Sequence, residues 1–160
     1  MLINIFMTIQ LQEYTVDIPA DLAENIIAFK ESHPDSNHCS NRGGWQLDYQ
    51  DNIPSWMQET YNQAIAFMSD YTVKRAWINV NGPGHSNRWH RHHIDDYTAV
   101  LYVQVPKNSG IMKFRVDQVD YTIQPIVGKL VVFSSNYMHC VYENKSEENR
   151  ISLAFNLIKR

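Results

Sequence analysis

Four of the chain's seven histidines fall between Arg75 and Phe114, at His85, His90, His92 and His93, with Asp95 and Asp96 directly behind them. In an extended segment, side chains two apart point the same way, so His90 and His92 could turn two imidazoles toward one point, which is metal-ligand spacing. His93 and Asp95 share that spacing and would offer an imidazole and a carboxylate instead. Spacing alone leaves both registers open. A polar loop between strands also carries solvated histidines as a matter of course. The cluster therefore needs a partner from elsewhere in the chain before it means chemistry.

The C-terminal half supplies candidates. Gly128 to Phe133 reads as a buried strand leading through Ser134, Ser135 and Asn136 to His139, a lone histidine in the otherwise apolar stretch Tyr137 to Tyr142. After a polar segment from Glu143 to Asn149, the run Arg150-Ile151-Ser152-Leu153-Ala154-Phe155-Asn156 has strand character. Its alternation places Arg150, Ser152, Ala154 and Asn156 on one side. An arginine facing into a sheet sandwich needs an anion, because burying it unpaired is costly. A ligand carboxylate would serve, whereas a surface arginine at a strand end would need nothing.

The elements that must position these residues are mostly strands. At 160 residues and 44% hydrophobic content the chain suits one domain with a sizeable core. The first residues, through Pro19, read as an N-terminal strand without the basic start of an export signal. Asp21 to Ser32 reads as a short helix, and His33 to Asn52 as a long loop or irregular hairpin. Pro54-Ser55 opens a second helix, with Ser55 and Gln58 in capping-box spacing ahead of Trp56, Tyr61, Ala64, Ile65 and Met68. Seven short strands follow, at Ala76 to Val80, Tyr97 to Val105, Ile111 to Arg115, Tyr121 to Ile123, Lys129 to Phe133, Met138 to Tyr142 and Ile151 to Ile158. Their punctuation predicts a sandwich or barrel with both helices against one face.

Charge and cysteine content narrow the function classes. A net charge of -3 gives no basic field for a nucleic-acid backbone. Cys39 and Cys140 are too few for a disulfide scaffold and lack metal spacing. No stretch approaches the roughly 20 apolar residues of a membrane span. The expectation is a cytoplasmic protein that engages neither membrane nor nucleic acid. Asn144-Lys145-Ser146 matches a glycosylation acceptor, read as chance in that setting.

The order of motifs resembles the 2-oxoglutarate-Fe(II) oxygenases of marine phages and bacteria. That family's His-x-His-Pro, Leu-Ser-Gly-Val-Tyr-Tyr, Phe-Pro-Ser leading to a His, and Arg-x-Ser-x-x-Phe-Asn find counterparts here. They are His90-Arg91-His92-His93, Tyr97 to Tyr102, Phe133-Ser134-Ser135 leading to His139, and Arg150 to Asn156. Ser40 to Gln46 and Ala76 to Val80 match as well, so the resemblance runs from about Ser40 to Asn156. It favours the register of His90 and His92.

What the resemblance implies is a mainly β protein, a double-stranded β-helix (jelly roll, cupin-like) with two buttressing N-terminal helices. The strand and helices would occupy about 1–70 and the jelly-roll core about 71–160 of a single domain. His90, His92 and His139 would hold Fe(II). Arg150 would pair with the far carboxylate of 2-oxoglutarate, with hydroxyl hydrogen bonds from Ser152 and Tyr102. Dioxygen would complete the reactants, and the outcome would be hydroxylation of a substrate the sequence does not name, with release of succinate and carbon dioxide. The usual facial triad has two histidines and a carboxylate. Here either His92 replaces the carboxylate or Asp95 supplies it. Trp89, Trp45 and the segment 81–87 would wall the substrate pocket, and the N-terminal strand could join a second copy in a homodimer. If the gene is phage-borne, the compartment is the host cytoplasm. Two other readings stand beside this one: a cupin-like three-histidine dioxygenase without 2-oxoglutarate, and a non-catalytic jelly-roll binding module.

Overall fold

The computed structural model of the chain describes residues 11–37, 39–49, 51–92 and 95–160. Two antiparallel sheets face one another. The larger has six strands in the order β1 (Leu11–Thr15), β9 (Lys129–Ser134), β6 (Tyr97–Gln104), β11 (Arg150–Lys159), β4 (Tyr71–Asn81) and β3 (Trp45–Asp48). The smaller has five, in the order β2 (Asn41–Arg42), β5 (Ser86–His90), β10 (Met138–Val141), β7 (Met112–Val116) and β8 (Val119–Ile123). This is the jelly roll that the motif order implies.

Continuous apolar runs in the larger sheet follow from burial on both faces. In β6, Ala99, Leu101 and Val103 join the core under the helices, while Val100 and Tyr102 join the core between the sheets. β9 divides the same way, with Leu130 and Val132 on one side and Val131 and Phe133 on the other. β11 sends Ile151, Leu153, Phe155 and Leu157 toward the helices. Its alternate residues Arg150, Ser152, Ala154 and Asn156 face the space between the sheets, as the alternation predicts.

Two helices, α1 (Leu22–Ser32) and α2 (Gln58–Phe67), cover the outer face of the larger sheet. α1 buries Leu22 and Ile26, four apart on one helical face, and each such side chain contributes roughly 1.5–3 kcal/mol. The capping box expected at Ser55 and Gln58 does not form. Ser55–Met57 is instead a 3₁₀ turn, no side chain caps it, and α2 begins only at Gln58. Pro54, at φ −57° and ψ 139°, sets an extended entry that the tighter turn accommodates.

Among the described residues eleven strands stand where eight are predicted, the N-terminal one and the seven after the helices. β2 and β3 lie in the polar stretch read as a loop, and β5 occupies Ser86–His90, where the sequence SNRWH carries no apolar alternation. Segment 41–48 pairs with β5 through β2 and with β4 through β3, so it ties the two sheets together at one side of the barrel. The expected N-terminal strand is present as β1, an edge strand on β9, and the residues before Leu11 lie outside the described ones.

The segment between β6 and β7 lies against Tyr142 and Arg150. Gly110 there has φ +87°, and a Cβ at that position would collide with the Tyr142 carbonyl and crowd an Arg150 guanidinium nitrogen. Gly110→Ala is therefore expected to cost roughly 2–3 kcal/mol of stability, read as a lowered denaturation midpoint.

Candidate metal centre

His90, His92 and His139 come from different parts of the chain, and one potential ligand atom from each lies within 4.8 Å of the other two. His90 ends β5, directly opposite His139 on β10. Two residues past the end of β5, His92 is anchored by its N–H donating to the Ser135 carbonyl at 3.0 Å. The register between β5 and β10 slips here, with His139 opposite His90 but Val141 opposite Asn87. That bulge sets two residues against one, so Asn87 and His90 both reach the inner cavity although they are three apart.

The imidazoles are presented in a defined way. Nδ1 of His90 lies 2.8 Å from the Arg88 carbonyl, and Nδ1 of His139 lies 2.9 Å from the Tyr137 carbonyl. A carbonyl only accepts, so each Nδ1 carries the proton and each Nε2 keeps its lone pair free for a metal. The His90 and His139 ring centroids are 4.1 Å apart. His92 lies nearly parallel to His139, at 18° and 5.4 Å, and to Trp77, at 18° and 6.0 Å.

Burial favours the neutral form of His90 and His139. Desolvation, then the neighbouring His90, pushes His139 down to about 3, and desolvation followed by the nearby Arg88 lowers His90. Because the folded His139 titrates far below its unfolded value near 6.5, the unfolded chain binds the extra proton first. Metal-free protein should then hold its full stability above about pH 6.5 and lose it as pH falls toward about 3. Denaturant midpoints measured across that range check this, and His139→Gln should flatten the slope.

Asp95 does not complete the set. It is half-buried, and the charges that lower its carboxyl against the larger effect of burial are Lys74 and Arg75; it is not among the converging groups. Asp96 is engaged elsewhere, its Oδ2 accepting the Lys159 N–H at 2.9 Å. His93, the other half of the alternative register, lies outside the described residues. The converging set among the described residues is three imidazoles.

Across the same cavity stands Arg150, 3% exposed. Its Nη1 donates to the carbonyls of Ser109 at 2.6 Å and Tyr142 at 3.4 Å, and among the described residues no carboxylate pairs with it. Desolvation lowers it to about 10. The Tyr102 hydroxyl is buried without a hydrogen-bond partner, burial raising it well above its usual range, and Ser152 lines the same cavity. A buried guanidinium and a hydroxyl without a hydrogen-bond partner thus line the same cavity, of about 50 Å³, as the three converging imidazoles.

Some expected wall residues lie elsewhere. Trp45 belongs to the core under the helices, its Nε1–H donating to the His33 carbonyl at 2.8 Å. Trp89 stacks under Arg115 and lines a cavity of about 870 Å³ that includes Cys140 and Tyr142. That cavity is the larger one, but none of the three converging histidines lines it, and chemistry follows the ligands. The inner cavity is lined by Asn87, from the expected 81–87 segment, and by Trp77, Asn79 and Thr98, which were not singled out as site residues. Alternation along β4 was the available signal, since Trp77 and Asn79 share a face two residues apart.

A family model described as "Putative 2OG-Fe(II) oxygenase" matches residues 115–156, the stretch that carries His139, Arg150 and Ser152. Over that stretch the chain is similar to the 2OG-Fe(II) oxygenases. Fe(II), 2-oxoglutarate and dioxygen are the reactants of that family. A Pseudomonas putida prolyl-4-hydroxylase is 21% identical with a TM-score of 0.68, covering 96% of this chain and 94% of its own. A Trichoplax adhaerens prolyl hydroxylase solved with a peptide fragment is 13% identical with a TM-score of 0.76, covering 95% and 84%. A viral collagen prolyl hydroxylase from Paramecium Bursaria Chlorella virus-1, solved with 2OG, is 12% identical with a TM-score of 0.66, covering 92% and 94%. At these identities the likeness establishes the fold. No curated protein matches the chain. No helix among the described residues is long and apolar enough to cross a membrane.

Proposed function

We propose that the chain is an Fe(II)- and 2-oxoglutarate-dependent dioxygenase that hydroxylates its substrate, with His90, His92 and His139 as the metal ligands. The observation that carries this reading is Arg150, a buried guanidinium without a carboxylate among the described residues, on the wall of the cavity where three imidazoles converge. Its natural counter-ion is the distal carboxylate of 2-oxoglutarate, with Tyr102 donating from its orphaned hydroxyl and Ser152 beside it.

When bound, the iron with 2-oxoglutarate and dioxygen supplies the oxidation: one oxygen atom enters the substrate C–H bond and the other the succinate, with loss of carbon dioxide. The chain's own residues do the rest. His90 and His139 hold their Nε2 lone pairs ready because their Nδ1 protons are committed to carbonyls. Three neutral imidazoles leave the metal's charge uncompensated by the protein, so the dianionic cosubstrate supplies the negative charge that a facial carboxylate otherwise gives. Arg150 orients that dianion from the opposite end. The apolar walls Val100, Met112 and Ala154 keep bulk water from the site.

The all-histidine set also favours a cupin-like dioxygenase that uses no keto acid, but such an enzyme would leave Arg150 buried without an anion. Titration of 2-oxoglutarate and of glutarate into protein with and without Mn(II) separates the readings. The proposal expects 2-oxoglutarate binding that needs the metal and exceeds glutarate binding at least about tenfold, since glutarate keeps both carboxylates and loses the keto oxygen. Equal binding of the two acids, or no dependence on metal, would contradict it.

A further inference from the structure

We propose that the outer face of the smaller sheet carries a docking groove for single-stranded nucleic acid, with Trp89 and Tyr142 stacking on bases and Arg88, Lys107 and Lys145 meeting phosphates. This goes beyond the oxygenase reading and does not depend on it.

The groove lies across the smaller sheet from the metal centre. In β7, Met112 and Phe114 belong to the core between the sheets, so Lys113 and Arg115 point outward. In β10, His139 turns inward and its neighbour Cys140, paired with Lys113, turns outward. Trp89 comes just before the inward His90 in β5 and lies under the outward Arg115. Both helices pack on the other sheet. On this uncovered face the cavity of about 870 Å³ is lined by a half-buried Trp89 and by Tyr142, which is 45% exposed.

Charge is the first pointer to an occupant. Arg88, Lys107 and Lys145 line the cavity against a single carboxylate, Glu143, and among the described residues none of the three cations is paired with a carboxylate. Behind the rings, Lys113 and Arg115 share one carboxylate, Asp120, at 2.8 Å each. The face is basic in a chain whose net charge is -3, a total that conceals a patch of this kind.

The rings are the second pointer. The Arg115 guanidinium carbon sits 4.7 Å from the Trp89 ring centroid and the Lys113 Nζ 5.7 Å from that of Tyr142, with Asp120 holding both cations. Contacts therefore run unbroken from Trp89 through Arg115, Asp120 and Lys113 to Tyr142, and both rings are held before anything binds. An acidic peptide would use the cations and leave the rings idle. A proline-rich or apolar peptide would use the rings and leave three cations without an anion. A strand of nucleotides uses both, since its bases stack and its phosphates meet the cations. Asn87 and Val141 line this cavity and the metal cavity alike, so a seated strand lies directly behind the metal centre.

Fluorescence anisotropy of a fluorescein-labelled octathymidylate, titrated with the intact chain, reads the binding. About three phosphate contacts predict an association constant that falls with salt at a log-log slope of about -2. Trp89→Ala should weaken binding at least about fivefold, and Trp89→Phe less than about threefold, because any aromatic face supports stacking. Lys107→Glu and Lys145→Glu should each weaken it at least about threefold, whereas Lys30→Glu, the same change of charge on α1 over the other sheet, should not. No binding by roughly 100 μM chain at about 50 mM salt overturns the proposal. So does an equal loss in Lys30→Glu, which would leave only attraction to overall charge. Competition by thymidine monophosphate, or by oligoglutamate, as strong as that of the unlabelled strand would give the groove to a free nucleotide or to an acidic peptide, and either result overturns the proposal. Should Trp89→Ala not fold, the two lysine variants, both at exposed positions, carry the test, and unchanged affinity in both overturns it.

Discussion

Arg150→Met should abolish measurable 2-oxoglutarate binding while leaving the metal-free protein as stable as wild type or more so. Methionine keeps most of the packing and removes a cation that is 3% exposed and that, among the described residues, donates to the carbonyls of Ser109 and Tyr142 and pairs with no carboxylate. Breaking one side of a buried charge pair costs about 2–5 kcal/mol, or roughly 30-fold to several thousand-fold in affinity. Removing an unpaired buried charge does not carry that cost in the ligand-free chain. The two measurements, calorimetric titration of 2-oxoglutarate and the denaturation midpoint without ligand, should therefore move in different directions. A large stability loss with 2-oxoglutarate affinity retained would show that Arg150 is a structural residue.

His139→Ala should eliminate specific divalent-metal binding, by more than about 100-fold, because it removes a ligand outright where outer partners alone cost 10–100-fold. His139 is the most buried of the three and touches Phe114 and Phe133, so the truncation also opens a hole in the core between the sheets. Stability at neutral pH should fall by about 1–3 kcal/mol. Its acid sensitivity should shrink at the same time, since the group pushed down to about 3 is gone. Metal titration with Co(II), together with unfolding curves at pH 7 and pH 4, checks both parts.

The fold was most legible where the chain is buried on both faces. β6, β9 and β11 announce themselves as apolar runs, and the inward set Arg150, Ser152, Ala154 and Asn156 follows from alternation alone. β5 was not legible, because SNRWH has no apolar face and a bulge opposite Cys140 breaks its period of two. β2 and β3 were hidden for a similar reason: Asn41 and Gln46 are buried polar residues, and Asn41 is satisfied locally, donating to the Gly44 carbonyl and accepting the Cys39 N–H. Spacing left the His90/His92 and His93/Asp95 registers open, and the motif order favoured the first while leaving Asp95 as an alternative carboxylate. In space Asp95 has Lys74 and Arg75 as its charged neighbours and is not among the converging groups. Trp77 was visible only as part of a matching motif, since its stacking on His92 joins β4 to a segment beyond β5.

The most direct test of the central claim is anaerobic addition of Fe(II) and then 2-oxoglutarate to the intact chain, followed by visible absorption. Three converging imidazoles with Arg150 across the cavity predict a weak charge-transfer band that appears only when both are present and saturates at one of each per chain. No band, or a band that persists unchanged in His139→Ala and Arg150→Met, would contradict the account.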